Sequence, residues 1–165
     1  MNRSSFRRNG FSLIELVVVL LLTAMMAALA SLSLRGVMAR QRLARGIEIA
    51  EQFDAALRRS ARRNRRSTVG LIDRGQQRFD VRHTKGSPQA FRLPTDVAID
   101  AVRIGADGAR GTASQIVAAG DGSTPSYALR ITTGDAHRWV LFVGGSGQVV
   151  QGMERPSIDS LLGAR

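Results

Sequence analysis

No cysteine occurs in the chain, which excludes a disulfide framework and any thiolate nucleophile or metal ligand. The two histidines, His83 and His137, stand apart from each other, with no His or Glu at the spacing that brings two ligands onto one helix face, so both read as ordinary strand or loop residues. Asp121-Gly122-Ser123 lacks the further carboxylates a calcium loop needs and reads as a turn. With no constellation for nucleophilic, acid–base or metal chemistry, the expectation is a protein that is not an enzyme and takes no cofactor and no metal. Proline is absent before Pro88, so nothing forbids one long helix in the first half of the chain.

That first half holds a long apolar run. From Leu16 to Leu34 there are 19 residues without a charge, which as a helix rise about 28 Å, close to the hydrocarbon thickness of a bilayer. A secretory signal peptide has a shorter apolar core and a small-residue cleavage site after it, so the run is expected to be kept as a transmembrane stem. Arg3, Arg7 and Arg8 precede the run and Arg35, Arg40, Arg42 and Arg45 follow it, so flanking charge alone does not orient it. One residue is out of place. Glu15 puts a carboxylate five residues into the apolar segment, where an ionised group costs about 2.5 kcal/mol or more and calls for a compensating charge.

Beyond the run, Leu43, Ile47, Ala50, Asp54, Leu57 and Ala61 recur at spacings of three and four with Phe53 beside them, so all but Asp54 form an apolar stripe that packs on a sheet. The predicted helix extends from Phe11 to about Asn64, with Gly36 and Gly46 marking places where it can bend. After Arg66 the pattern turns to short β-branched and aromatic runs. Strands are expected at Thr68–Ile72, Arg78–Arg82, Val97–Ile104, Gln115–Ala118, Tyr127–Thr133, Arg138–Val143 and Gln148–Val150, separated by Gly, Asp and Pro turns. The fold class is α+β: a long N-terminal helix packed on an antiparallel β-sheet or β-sandwich head.

Charge is unevenly spread. Residues 1–66 carry thirteen Arg and Lys against four Asp and Glu, a net of +9, whereas residues 67–165 carry eleven against nine. Arg58, Arg59, Arg62, Arg63, Arg65 and Arg66 crowd the expected helix C-terminus. Cations there complement the helix dipole, but six exceed that need, which leaves a solvated face or a contact surface for a neighbouring acidic subunit, anionic lipid or nucleic acid.

The junction Arg7-Arg8-Asn9-Gly10-Phe11-Ser12-Leu13-Ile14-Glu15-Leu16 resembles the prepilin signal of type IV pilins and type II secretion pseudopilins: a basic leader ending in Gly, then Phe, then Glu at the fifth position of a long apolar helix. The resemblance implies cleavage by a prepilin peptidase between Gly10 and Phe11 on the cytoplasmic side, N-methylation of Phe11, and pairing of Glu15 with the terminal amine of a neighbouring subunit during assembly. It implies four segments: a cleaved cytoplasmic leader at 1–10, a transmembrane and filament-stem helix at 11–34, a basic amphipathic helix at 35–66 that continues into the head, and a β-rich periplasmic head at 67–165.

A second resemblance lies in Asp121-Gly122-Ser123, Tyr127–Thr133, Arg138–Val143 and Gly145-Ser146-Gly147-Gln148-Val149-Val150, which look like the C-terminal pattern of the GspH/FimT group, with Ala118-Ala119 where that group shows an aromatic and a proline. It implies a minor pseudopilin of a type II secretion system near the filament tip, in the inner membrane, partnered by other pseudopilins, the peptidase and membrane lipid. The alternative is a FimT-type minor pilin of pilus biogenesis or DNA uptake, for which nucleic acid is a partner.

Overall fold

The computed structural model describes residues 12–82, 88–105, 107–108 and 112–163, with the side chains of 30–35 and 107–108 outside the description. The expected cleavage junction Gly10-Phe11 and His83 therefore lie outside the described residues. The chain divides into two compact units, Met1–Met38 and Ala39–Arg165.

Helix α1, Leu13–Asn64, belongs to both units. In the first unit its described apolar side chains are exposed all round, Leu13 at 83%, Leu20 at 60% and Met26 at 71% among them. Thr23 does not interrupt this apolar surface, because its hydroxyl donates back to the Val19 carbonyl at 2.9 Å within the helix. Among the described residues no helix is long and apolar enough to cross a membrane; the expected span runs on through residues 30–35, whose side chains are not described.

In the second unit the stripe is buried as its spacing demands: Leu43, Ile47, Ala50, Phe53, Leu57 and Ala61 are each at most 5% exposed. Two antiparallel sheets meet it. The first has strand order β3-β2-β1-β6, from β1 (Thr68–Asp73), β2 (Arg78–Arg82), β3 (Gln89–Arg92) and β6 (Ala113–Ala118). The second has order β5-β4-β7-β8-β9, from β4 (Ala98–Ile104), β5 (Asp107–Gly108), β7 (Tyr127–Thr133), β8 (Ala136–Phe142) and β9 (Val149–Gln151). One apolar cluster joins the helix stripe to the inner residues of both sheets, including Ile72, Phe79 and Ile116 from the first and Leu129, Ile131 and Phe142 from the second. A short helix α2, Arg155–Leu161, closes the outer face of the second sheet, where Ile158 and Leu162 pack on Ala128, Trp139 and Leu141.

The head is thus α+β, and it uses two sheets. Two glycines set the spacing between layers. A Cβ on Gly70 of β1 would lie 2.7 Å from the Phe53 ring, and one on Gly46 of α1 would lie 2.6 Å from Val97 Cγ1. Gly46 is therefore a place of close approach between helix and sheet, in a helix that runs through it without interruption.

Candidate functional site

Three groups of residues carry chemistry in this chain: the N-terminal turn of α1, a buried polar cluster, and the arginines at the end of α1. Glu15 occupies the first turn, exposed, with its N–H on the Ser12 carbonyl at 3.0 Å. A carboxylate there complements the partial positive charge of the helix N-terminus, and among the described residues it forms no ion pair.

The buried cluster centres on Asp54, the one polar member of the predicted stripe. Asp54 and Arg58 are i and i+4 on the inner face of α1 and are 4% and 6% exposed. Arg58 Nε donates to Asp54 Oδ2 at 2.6 Å, and the Tyr127 hydroxyl of β7 donates to Asp54 Oδ1 at 2.9 Å. The rest of the Arg58 guanidinium leaves the helix. Its Nη1 donates to the Gly144 carbonyl at 2.8 Å, and its Nη2 donates to Thr124 Oγ1 at 2.7 Å and the Val143 carbonyl at 3.3 Å. One side chain thus ties the helix to the loop before β7 and the loop after β8, which are also joined by the Gly144 N–H on Ser126 Oγ at 2.9 Å. A buried ion pair is tolerated only where its remaining donors and acceptors are met, and here they are. Burial, and next the Asp54 carboxylate, push the Tyr127 hydroxyl well above its ordinary pKa of 10.

This placement removes Arg58 from the contact surface expected of the six arginines, because its cation is spent inside the head. Arg59, Arg62, Arg63, Arg65 and Arg66 are exposed. Arg59 Nε donates to the Ala55 carbonyl at 3.1 Å and Arg62 Nε to the Asp121 carbonyl at 3.2 Å. Among the described residues none of the five forms an ion pair. Asp121 is fastened instead to its own turn, accepting from the Ser123 N–H at 2.8 Å and the Ser123 hydroxyl at 2.7 Å. Those bonds, the backbone one first, hold its carboxyl below the usual value, with the Arg62 charge adding to the effect.

His137 lies exposed in β8 opposite Thr132, at the edge of a cleft of about 560 Å³ that also takes in Arg130, Arg138, Trp139 and Arg155. Arg130 stacks its guanidinium over Trp139 at 5.8 Å and pairs with Asp100, and Arg155 faces Asp159 at 3.6 Å, so much of the charge in this cleft is already matched. Among the described residues no three His, Cys, Asp or Glu side chains gather as a metal site.

The pairing of Asp54 with Arg58 was not anticipated from the sequence. Its signal was present: an acid inside an apolar stripe with a base four residues on, a spacing that puts both on one helix face.

Residues 5–31 match the family model described as the prokaryotic N-terminal methylation motif. The match covers the expected leader junction and the first part of α1, and none of the head. It supports a type IV pilin-like protein, for which the motif implies processing by prepilin peptidase, assembly with other pilin subunits and a membrane-anchored N-terminus. No curated protein and no solved structure matches the chain.

Proposed function

We propose that the chain is a minor pseudopilin, a structural subunit of the periplasmic filament of a type II protein secretion system. It is made as a precursor, cut between Gly10 and Phe11, methylated on the new Phe11 amine, and held in the inner membrane by residues 11–34 with the head on the periplasmic side. The observation that carries this reading is the methylation motif at residues 5–31, which leads without a break into a helix whose later half is the core of an α+β head. The exposed apolar side chains of residues 13–29 support it, since nothing among the described residues of their own unit covers them. Such a surface needs lipid before assembly and the stems of other subunits after it. Glu15 fits the same scheme. Its carboxylate, in the first turn, forms no ion pair among the described residues, and cleavage creates the matching cation on Phe11 of a neighbour.

Mass spectrometry of the protein from its native membrane is expected to find a chain that begins at N-methylated Phe11; an intact leader, or cleavage beyond Leu34, would sink the proposal. Glu15→Ala is expected to leave insertion and cleavage intact but reduce cross-linking to partner pseudopilins. Unchanged cross-linking would mean that Glu15 takes no part in assembly. Cross-links to the subunits of a retractable pilus instead would reassign the chain to a FimT-type minor pilin.

A further inference from the structure

Helix α1 ends in a hydrogen-bond pattern usually closed by glycine. The Arg66 N–H reaches back to the Ala61 carbonyl and the Arg65 N–H to the Arg62 carbonyl, both at 3.3 Å, with Arg65 at φ 48°. That left-handed conformation is unfavourable for a side chain with a Cβ, so an arginine here is held against the preference of the backbone. Strain at one position that glycine would relieve points to a use for the side chain. Its neighbours point the same way. Arg59, Arg62 and Arg63 fall at i, i+3 and i+4, which puts them on one exposed helix face, and the exposed Arg65 and Arg66 follow directly at the helix end.

We propose that the face formed by Arg59, Arg62, Arg63, Arg65 and Arg66 is a docking surface for an acidic segment of a partner protein. Charge complementarity is the first reason, since the five cations form no ion pair among the described residues and the nearby Asp121 carboxylate is engaged with Ser123. Order is the second. The Nε atoms of Arg59 and Arg62 are already held by backbone carbonyls, which restrains each side chain and leaves its Nη groups as the donors for a carboxylate.

Nucleic acid fits less well. Of the six described aromatic side chains, Phe53, Phe79, Tyr127, Trp139 and Phe142 are buried and Phe91 is half-buried, so among the described residues no exposed ring offers a base a stacking face, and five arginines meet only a few phosphates. A membrane surface fits less well again, because the apolar face of this part of α1, with Phe53, Leu57 and Ala61, is buried in the head and has nothing to insert. The proposal does not depend on which class of filament the subunit joins.

The test uses the full chain in micelles of a neutral detergent and a fluorescent helical peptide with glutamate at i, i+4 and i+7. The peptide is expected to bind, and replacing Arg62, Arg63 and Arg66 with Gln to weaken it by about tenfold or more. Replacement of the three by Lys, which keeps the charge and loses the fork, should give a smaller loss. Arg65→Gly separates function from stability: it is expected to raise the thermal midpoint while weakening the peptide. A peptide affinity unchanged by the Gln variant would reduce the face to a solvated one. Duplex DNA binding more tightly than the peptide at physiological salt would assign the face to nucleic acid and overturn the proposal.

Discussion

Two stretches of one helix have opposite relations to water. Residues 13–29 are apolar on every side, and their large side chains stand about half exposed or more. Residues 43–61 are apolar on one side, and Phe53 and Leu57 are fully buried. How apolar residues are spread around the helix, and not helix propensity, makes the difference. A single head can cover one stripe of a helix, as the two sheets do here, but a helix that is apolar all round needs an environment that surrounds it. The second stretch is therefore completed by its own chain and the first by something outside its own unit.

The comparison predicts where mutation will be felt. Asp54→Ala leaves the Arg58 guanidinium buried with Nε unpaired and the Tyr127 hydroxyl without its acceptor, which is expected to cost the head about 3–5 kcal/mol. Leu22→Ala, in the exposed stretch, should change head stability by less than about 0.5 kcal/mol. Denaturant unfolding of the full chain in detergent reports this cleanly, because the one tryptophan, Trp139, sits in β8 of the head. Asp54→Leu combined with Arg58→Met should recover part of the loss, since matched apolar groups replace a buried pair at little cost. A loss below about 1 kcal/mol for Asp54→Ala would mean that Arg58 reaches water in solution.

Tyr127 sharpens the contrast through pH. Its folded pKa is raised, so below about pH 10 the hydroxyl is protonated in both states and its contribution is fully present. Above about pH 10 the unfolded chain gives up the proton and the folded chain keeps it, so stability falls by up to about 1.4 kcal/mol per pH unit until the folded group also ionises. Tyr127→Phe removes this component and, through the lost bond to Asp54, is expected to cost about 1.5–3 kcal/mol at neutral pH. Tyr127 is the only tyrosine, so tyrosinate absorbance is a direct readout: it should appear together with unfolding. Tyrosinate forming near pH 10 in a chain still folded would show that the hydroxyl is open to solvent.

Much of this head was legible in the sequence because its signals are local. The stripe from Leu43 to Ala61 and the strands Arg78–Arg82 and Tyr127–Thr133 follow from spacing, alternation and turn residues, and the strands fall at the expected bounds. Elements held by distant partners were not legible. β3, Gln89–Arg92, has only four residues, leaves just Phe91 half-buried, and exists through its pairing with β2. α2 has seven residues with Pro156 in its first turn and Ile158 as its buried contact, too short for a period to show. The division into two sheets rests on β1 pairing with β6 across the intervening strands, a long-range choice no local pattern reports. At the candidate sites, Glu15 and the exposed arginines were legible as unusual charges. The burial of Arg58 was not, since a run of arginines does not say which one the fold turns inward.

The smallest effects expected of the comparison come from two glycines in α1. At Gly46 an added Cβ meets Val97 Cγ1 at 2.6 Å and Ile131 Cγ2 at 3.2 Å, whereas at Gly36 it meets nothing within 4 Å. Gly46→Ala sets an overpacking cost of about 1–3 kcal/mol against a gain in helix propensity of about 1 kcal/mol, so the head should lose stability or at best break even. Gly36→Ala has the gain alone, about 1 kcal/mol, and it falls in the other unit. The unfolding midpoint reported by Trp139 should therefore drop for Gly46→Ala and stay put for Gly36→Ala, while amide exchange slows around residue 36 only in the second variant. If both substitutions left the Trp139 midpoint unchanged, Gly46 would not be a close contact between helix and sheet.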